Sequence, residues 1–380
     1  MSFSNLGLSP ALITALKEQE YNKPYPIQEK AIPAILARKD VLGIAKTGSG
    51  KTASYVLPIL QAQQGNIFSK NRHVSVLVIV PTRELAVQVQ EVIYSFSKNL
   101  PKHIKSLAVY GGVSINPQMM ALQNVNILVA TPGRLLELVE SNAVHLSSIN
   151  TLVLDEADKM LNLGFEEEMN RIFALLPSKR QNLLFSATLS DDINSIHQML
   201  LDDPLVVKIE EEKQTLDQIE QLAYSTTEEK KGPLLRYLIK SKKLTQVLVF
   251  TASTYKADNV ANKLRKNGIL ASAIHSKKSQ GARTKALSEF KSREIHVLVA
   301  TDLLSRGIDI DTLPYVINYE LPRSPKDYVH RIGRTGRANA SGHAISFITE
   351  EDMQHFRTIQ KKMGKWVNMN DSEGLDLTGY

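Results

Sequence analysis

The strongest constraint on the fold is a series of short apolar runs along the whole chain, separated by longer helical stretches such as Glu84–Ser97 and Tyr255–Asn267. The runs are rich in Val, Ile and Leu with little polar alternation, which is typical of parallel strands buried on both faces. This pattern predicts an α/β fold with two mostly parallel sheets flanked by helices. The runs are Val41–Ala45, Val74–Val80, Ser106–Tyr110, Ile127–Ala130, Thr151–Leu154 and Asn182–Phe185 in the first half, and Val247–Phe250, Ala271–Ile274, Val297–Ala300, Tyr315–Tyr319 and Ala344–Ile348 in the second.

Two domains of ordinary size are expected, because 380 residues with 43% hydrophobic content allow each domain its own core. The segment Lys208–Asp217, KIEEEKQTLD, is charged and lacks apolar periodicity. We interpret it as a linker, although an exposed helix end would show the same pattern. The last residues, DSEGLDLTGY, are acidic and are expected to form a flexible tail. The predicted division is an N-terminal domain over 1–207, a linker over 208–217, a C-terminal domain over 218–368 and a tail over 369–380.

Composition excludes several classes of function. The chain has no cysteine, which excludes disulfides, zinc–thiolate sites and thiol catalysis. Its first residues lack the layout of a secretory signal, and no apolar run approaches the ~20 residues that span a bilayer. A cytoplasmic protein without membrane contact is the simplest interpretation. The net charge of +7 weakly favours a polyanionic partner, although many basic enzymes bind no nucleic acid.

Five of the apolar runs end directly in small, hydroxyl, carboxylate or guanidinium residues. In an open parallel sheet, ligands bind at the carboxyl ends of the strands. One such strand end would not indicate a binding site, but five of them predict one continuous ligand-binding edge. The five segments are Pro81-Thr82-Arg83-Glu84, Thr131-Pro132-Gly133-Arg134, Asp155-Glu156-Ala157-Asp158, Ser186-Ala187-Thr188 and Thr301-Asp302.

The first strand leads into AKTGSGKT and then into a predicted helix at Ala53–Leu60. In such a phosphate loop, glycines let backbone N–H groups turn toward phosphate oxygens, the lysine reaches the β- and γ-phosphates, and the threonine hydroxyl binds Mg²⁺. The strict pattern begins with Gly where this chain has Ala45. The flanking strand and helix nevertheless supply the context that a mere glycine turn would lack. The residues expected to hold the nucleotide are Thr47, Gly48, Ser49, Gly50, Lys51 and Thr52.

A phosphate loop needs a carboxylate on a neighbouring strand to hold its metal ion. Asp155 directly follows an apolar run and is placed for that role, so Thr52 and Asp155 are the expected metal ligands. Glu156 beside it is suited to orient or deprotonate an attacking water. Asp158 can bridge to other polar groups. An acidic cluster alone would more simply be the solvated start of a helix.

The ordered set PYPIQ, AKTGSGKT, PTRELA, GG, TPGR, DEAD, SAT, ATD…RGID and HRIGRTGR resembles the DEAD-box ATP-dependent RNA helicases. The resemblance extends from Phe3 to about Phe347, and the segments MSFSNLGLSP and GGVSINPQMM are most similar to the bacterial RhlE-type branch. It implies two tandem RecA-like domains and an RNA-dependent ATPase with ATP and Mg²⁺ as cofactors. Such an enzyme locally unwinds short RNA duplexes and remodels RNA or RNA–protein complexes by ATP-driven closure of the two domains.

The resemblance also implies roles for individual residues around the nucleotide. Tyr21 would stack on adenine, Gln28 would bond its edge and Phe3 would brace the pocket. The family usually has Thr where this chain has Tyr25. The remaining roles fall to the second half of the chain, where Asp309 would bind the ribose and Arg334 and Arg337 would act as arginine fingers on the γ-phosphate.

Coupling and RNA contacts follow from the same resemblance. Ser186 and Thr188 would bond to Asp158 and His330 and connect the nucleotide to the RNA side. The RNA contacts are expected to be phosphate- and sugar-directed, because they consist of arginines, hydroxyls and glycines rather than an aromatic platform. These residues are Arg83, Gly112, Thr131, Gly133 and Arg134 in the first domain, and Gln280, Arg283 and Thr301 in the second.

Two other functions remain open from the residues alone. The chain could be a DNA-directed helicase of the wider superfamily, against which PTREL and HRIGRTGR speak. It could also be an ATP-locked RNA clamp or assembly scaffold with little turnover, because a clamp and a helicase would use the same residues. A monomer is expected, with ribosomal or RNA-decay assemblies as candidate partners.

Overall fold

The computed structural model describes residues 2–45, 48–65, 71–188, 200–209, 219–302, 313–336 and 342–380. The chain separates into two compact units, Met1–Glu211 and Glu212–Tyr380. Three residues with predicted roles, Thr47, Asp309 and Arg337, lie outside the described residues. Within the described ranges, no helix combines the length and the apolar character needed to cross a membrane.

The first unit is built on a seven-stranded sheet in the order β3-β4-β2-β5-β6-β1-β7. All of its pairings are parallel. Successive residues of a strand point to opposite faces, so Val76 and Val78 join the core on one face while Leu77 and Ile79 join the core on the other. Helices cover both faces, as expected for near-continuous apolar strands. The strands are β1 (Val41–Ile44), β2 (Val76–Ile79), β3 (Ser106–Val109), β4 (Ile127–Ala130), β5 (Thr151–Leu154), β6 (Gln181–Ser186) and β7 (Leu205–Lys208).

The helices of the first unit begin close to the strand ends that carry polar residues. A 3₁₀ turn (Phe3–Asn5) precedes the first of them. The helices are α1 (Pro10–Glu18), α2 (Pro26–Leu36), α3 (Lys51–Gly65), α4 (Arg83–Ser97), α5 (Ile115–Ala121), α6 (Pro132–Glu140), α7 (Ala157–Asn162) and α8 (Glu166–Ala174).

The second unit repeats the architecture with a seven-stranded parallel sheet in the order β10-β11-β9-β12-β13-β8-β14. The strands are β8 (Ile219–Ser225), β9 (Val247–Thr251), β10 (Ala271–Ile274), β11 (Val297–Thr301), β12 (Tyr315–Asn318), β13 (Gly342–Ile348) and β14 (Asn368–Asp371). The helices are α9 (Glu228–Ser241), α10 (Thr254–Lys266), α11 (Gln280–Lys291), α12 (Pro325–Ile332) and α13 (Met353–Met363). The predicted fold class, two parallel sheets flanked by helices, is confirmed.

Three strands were not predicted, and two of them lie at sheet edges. In β7 only Val207 is buried, and all four residues of β14 are exposed. In β8 only Glu220 is exposed, but polar residues such as Gln221 and Ser225 interrupt the apolar ones. β8 and β14 therefore lack the continuous apolar run by which the others were recognised, while β7 has only a short one, Leu205–Val207, before Lys208.

The end of the chain differs from the flexible tail predicted for 369–380. Residues 368–371 pair with β8, and Leu375 and Leu377 pack against the core of the second unit. The ring of Tyr380 meets Tyr237 edge-on at 5.2 Å between centroids. The acidic composition suggested a solvated tail, but three partly buried apolar residues, Leu375, Leu377 and Tyr380, pack it against the rest of the unit.

The predicted linker 208–217 spans the division between the two units. Its first two residues belong to the first sheet, because Lys208 ends β7 and the Ile209 N–H donates to the carbonyl of Ile44 at 2.9 Å. Residues 210–217 lie outside the described residues.

Sheet order divides the carboxyl edge of the first unit into two halves. The segments that follow β5, β6 and β1 are neighbours, which brings DEAD, SAT and the phosphate loop together. The segments that follow β3, β4 and β2 are also neighbours, which brings GG, TPGR and PTREL together. The predicted nucleotide residues and the predicted RNA residues therefore occupy adjacent halves of one edge.

Candidate functional site

The phosphate loop is held by close backbone packing. Gly50 has a φ of +86°, a conformation that side chains with a Cβ rarely adopt. A Cβ at Gly50 would also collide with the amide of Gln28 and the ring of Tyr25. Glycine is required here both by the backbone conformation and by the approach of these two side chains.

Lys51 begins α3 and has only 6% of its surface exposed. Its Nζ has no hydrogen-bond partner among the described residues. A buried ammonium without a partner is costly, so the position favours an anion. Phosphate at the amino end of a helix supplies that anion and also matches the helix dipole.

Asp155 follows β5 directly, and its N–H continues the strand ladder by donating to the carbonyl of Ile79 at 3.0 Å. Its Oδ2 accepts from the Tyr55 hydroxyl at 2.9 Å, while its buried Oδ1 has no partner in the described part of the chain. Burial raises the pKa of Asp155, and the positive charge of Lys51 opposes that shift. One carboxylate oxygen is thus fixed and the other is left available.

Glu156 occupies a left-handed conformation with φ 55° and ψ 45°. Non-glycine residues adopt this region at a cost, and such residues cluster at functional sites. Its Oε1 accepts from Lys159 Nζ at 2.5 Å, whereas its Oε2 is buried without a partner within the described ranges. Burial raises the pKa of the Glu156 carboxyl, with Lys159 opposing. A carboxylate with a raised pKa is the better base near neutral pH.

The arrangement fits a divalent cation held partly by the protein. The described residues contain no cluster of three or more His, Cys, Asp or Glu side chains that could form a complete metal cage. Mg²⁺ does not need one, because it binds through one or two carboxylates together with substrate phosphates. The hydroxyl of Thr52 and the Oδ1 of Asp155, which has no partner in the described chain, would provide the hard oxygen ligands for it.

The side chains predicted to surround adenine are mostly engaged with the protein. Gln28 is fully buried; its Oε1 accepts from the Tyr25 N–H at 2.9 Å and its Nε2 donates to the Gly50 carbonyl at 3.1 Å. Tyr21 packs edge-on against Phe96 at 5.4 Å, and Phe3 is buried in the core. Gln28 therefore connects the start of α2 to the phosphate loop and keeps one further donor and one further acceptor position.

The predicted coupling residues of the first unit are in contact. The Thr188 hydroxyl donates to Asp158 Oδ2 at 3.1 Å, which joins the SAT segment to the DEAD segment. The Ser186 hydroxyl donates instead to the carbonyl of Thr188 at 2.8 Å. Ser186 therefore stabilises the turn of the SAT segment, and Thr188 makes the hydrogen bond that joins this segment to the DEAD segment. His330, in the second unit, is exposed.

In the other half of the edge, the guanidinium of Arg83 lies directly over Gly112, where a Cβ would collide with it. Thr131 is buried, and Gly133 has open space where a side chain would be. Arg134 is only 5% exposed: its Nε donates to Glu137 at 2.8 Å and an Nη donates to the Val113 carbonyl at 2.8 Å. Arg134 thus braces the GG loop against α6, while Gly112 is exposed and Arg83 and Gly133 are partly exposed.

The predicted RNA residues of the second unit lie on β11 and α11. Thr301 ends β11 and is 8% exposed. Gln280 begins α11, and its Oε1 accepts from Arg283 at 2.6 Å. Arg334, the predicted finger, is 6% exposed in the turn after α12.

Arg331 was not predicted to matter, yet its buried guanidinium is hydrogen-bonded to three other residues. It donates two bonds to Asp302, at 2.5 and 2.8 Å, one to Asn318 and one to the Glu320 carbonyl. It also lies 4.9 Å from the ring centroid of Phe250. The only sequence signal is a charge on the apolar side of a short helix.

Tyr55 and Lys159 were missed as well. Tyr55 lies three residues after Thr52, and Lys159 lies three residues after Glu156. Residues at this i, i+3 spacing share a helix face. That spacing could have identified Lys159. For Tyr55 it could not show the partner, because Asp155 lies 100 residues further along the chain.

Comparison with known proteins agrees with this geometry. The family model described as DEAD/DEAH box helicase matches residues 25–196, and the model described as helicase conserved C-terminal domain matches residues 229–339. The chain is 41% identical to an ATP-dependent RNA helicase CshA of Limosilactobacillus reuteri, over 95% of this chain and 72% of that protein. It is 39% identical to a DEAD-box ATP-dependent RNA helicase CshA of Bacillus subtilis, over 99% of this chain and 75% of that protein.

Solved structures that resemble this chain also include DEAD-box proteins. S. cerevisiae Dbp5 bound to RNA and ADP BeF3 has a TM-score of 0.84 at 30% identity and covers 97% of this chain and 95% of its own. A DEAD box protein from Methanococcus jannaschii has a TM-score of 0.54 at 37% identity, covering 97% of this chain and 99% of its own. The RhlE-type branch expected from the opening residues is not supported, because the similar bacterial relatives are named CshA.

Proposed function

Because the chain belongs to the DEAD-box family of ATP-dependent RNA helicases, we propose that it hydrolyses ATP in response to bound RNA. It uses the reaction to separate short RNA duplexes and to remodel RNA or RNA–protein complexes. The observation that carries the proposal is the set of buried groups left without partners in the described chain: Lys51 Nζ, Asp155 Oδ1 and Glu156 Oε2. These three groups lie together and supply the charges that a triphosphate, its metal ion and an attacking water require.

Each residue has one task in this mechanism. Lys51 binds the β- and γ-phosphates, and Thr52 and Asp155 would hold Mg²⁺, which neutralises phosphate charge when bound. The free Oε2 of Glu156 accepts a hydrogen bond from the attacking water and orients or deprotonates it. Arg334 and Arg337 would stabilise the γ-phosphate in the transition state, as the family resemblance implies.

The proposal includes closure of the two domains. Nucleotide would engage Lys51 together with Arg334 and Arg337. RNA would engage Arg134 together with Arg283 and Thr301, so each ligand favours the closed state. By linkage, RNA and ATP must then tighten each other's binding by the same factor. Closure that bends one strand opens only a short stretch, so short duplexes are the expected substrates.

The function is tested by steady-state ATP hydrolysis with single-stranded RNA, with DNA of the same sequence and with no nucleic acid. We expect strong stimulation by RNA, weak stimulation by DNA and many turnovers per enzyme. Equal stimulation by DNA would favour a DNA-directed helicase. A single turnover followed by a stable RNA complex would favour the clamp function.

Gln28→Ala is expected to weaken ATP binding roughly tenfold, because it leaves the Tyr25 N–H and the Gly50 carbonyl without their partner. It should also reduce the preference for ATP over GTP, since the remaining polar positions of Gln28 are those proposed to bond adenine. Competition between GTP and a fluorescent ATP analogue measures both effects.

Gln28→Glu is the matched variant for this test. It keeps the acceptor for Tyr25 but cannot donate to Gly50, so it should lose part of the ATP affinity. If the unchanged protein binds GTP as tightly as ATP, Gln28 does not select adenine.

RNA affinity is expected to fall steeply with salt and to vary little with base sequence, because the proposed contacts are to phosphate and sugar. Arg83→Ala should reduce the slope of log K against log salt by about 0.7, the value for one phosphate contact on a single strand. Fluorescence anisotropy at several salt concentrations measures this slope.

Arg38→Ala is the control for Arg83→Ala. Arg38 lies at the amino edge of the same sheet, where it bonds Thr151 and Gln181 at the starts of β5 and β6. Its removal should leave the slope unchanged. A strong preference for one RNA sequence over its shuffled form would contradict recognition through the backbone.

We further propose that the protein is a cytoplasmic monomer that acts on RNA in ribosomal or RNA-decay assemblies. Light scattering during size-exclusion chromatography tests the monomer, and recovery of bound RNA from native cells identifies the assembly.

A further inference from the structure

Tyr55 lies one turn after Thr52 on α3 and is fully buried. Its hydroxyl donates to Asp155 Oδ2 at 2.9 Å. One phenol therefore bonds one of the two residues that would hold the divalent cation and lies one helical turn from the other.

The direction of this bond follows from the number of protons. A phenol has one proton to donate, and the Oδ2 of the Asp155 carboxylate accepts it. The bond occupies one carboxylate oxygen and leaves the buried Oδ1 of Asp155, which has no partner in the described chain, available to a cation.

The position of the hydroxyl is set by the core. The Tyr55 ring packs against Phe185 with centroids 5.2 Å apart and planes at 44°. Phe185 in turn lies against Gly43, where any Cβ would collide with its ring. The stack Gly43–Phe185–Tyr55 crosses from β1 to α3 and fixes the ring that carries the hydroxyl.

We propose that Tyr55 is a positioning residue for the divalent cation: its hydroxyl holds Oδ2 of Asp155 and so fixes the orientation in which Oδ1 is available as a ligand. The inference rests on the proposed function, since it concerns the same nucleotide site. Outer partners of metal ligands typically contribute 10- to 100-fold to metal affinity. Both expected ligands, Thr52 and Asp155, remain in Tyr55→Phe. We therefore expect a loss of metal affinity at the lower end of this range, about tenfold.

The test is the Mg²⁺ dependence of nucleotide binding, measured by titrating Mg²⁺ into protein with fluorescent ADP. Tyr55→Phe should raise the Mg²⁺ midpoint about tenfold and leave nucleotide affinity in EDTA unchanged. In the ATPase assay, the KM for Mg²⁺ should rise while kcat recovers at saturating Mg²⁺. A purely structural role would instead weaken binding equally with and without the cation.

Tyr328→Phe is the matched control, since it removes another buried phenol, bonded to Ser346 at 3.2 Å in the second unit. It should leave the Mg²⁺ midpoint unchanged. Phe185→Leu keeps the Tyr55 hydroxyl but loosens its ring, and should raise the midpoint by a smaller factor; it decides the question if Tyr55→Phe does not fold. If the unchanged protein shows no Mg²⁺-dependent nucleotide binding, the proposed function fails. If it shows that dependence and neither variant shifts the midpoint, the role of Tyr55 is wrong.

Discussion

Glu156→Gln is expected to lower RNA-stimulated ATP turnover by about 10²- to 10⁴-fold, the range of general-base catalysis, while ATP and RNA binding stay close to those of the unchanged protein. The amide has the shape of the carboxylate but cannot accept a proton. The Oε2 of Glu156 is buried and without a partner within the described ranges, so it is free to act on the water. Single-turnover hydrolysis measures the rate of the chemical step, and equilibrium titrations measure the affinities for ATP and RNA.

The substitution also breaks the 2.5 Å ion pair between Glu156 and Lys159. Lys159→Met separates the two effects, because it removes the ion pair and keeps the carboxylate. We expect Lys159→Met to reduce turnover far less than Glu156→Gln. Equal losses in both variants would mean that the ion pair, rather than proton transfer, accounts for the effect. Turnover by Glu156→Gln close to that of the unchanged protein would exclude Glu156 as the base.

Arg331→Ala is expected to destabilise the second unit by about 3 kcal/mol, the lower end for removing one partner of a buried ion pair. Arg331 is 2% exposed, and its loss leaves the fully buried Asn318 without its donor. Asp302 is about one-third exposed, so water recovers part of the cost. Urea unfolding of the whole chain measures the loss, and hydrogen exchange in β9, β11 and β12 locates it.

Two variants show whether Arg331 stabilises the second unit through its hydrogen-bond geometry or through its charge. Arg331→Lys keeps the charge but cannot make the paired bonds to Asp302 together with those to Asn318 and Glu320. We therefore expect it to recover only a minor part of the stability. Arg357→Ala removes an exposed arginine from α13 and should change stability little. If Arg331→Ala lowers ATP turnover without changing stability or exchange, Arg331 acts on the nucleotide and the structural role is wrong.

Local chemistry was predictable wherever it depended on residues close in sequence. The phosphate loop follows from Gly48, Gly50, Lys51 and Thr52, because covalent continuity alone places these groups around one phosphate position. The apolar runs predicted the continuous strands, since a strand buried on both faces has no polar alternation. The same criterion missed β7, β8 and β14, in which the apolar run is short, interrupted by polar residues or absent.

Contacts between distant residues could not be predicted in this way. The hydroxyl of Tyr55 meets Asp155 across 100 residues, and Arg331 meets Asp302 across 29. Nothing in the local pattern around either residue indicates its partner. The docking of Leu375 and Leu377 likewise depends on a surface formed by the rest of the second unit.

By itself, the sequence determined the type of each domain, the strands with continuous apolar runs and the chemical groups at their carboxyl ends. Hydrophobic periodicity records which faces of an element are buried, but it does not record which element covers them. Only the tertiary structure decided that β5, β6 and β1 are neighbours, and hence that Lys51, Asp155 and Thr188 belong to one site. It also decided which polar atoms are already paired inside the protein and which, such as Asp155 Oδ1, are left without a partner in the described chain. Strand order and side-chain pairing result from the packing of the whole unit, where burial must be balanced across elements far apart in sequence.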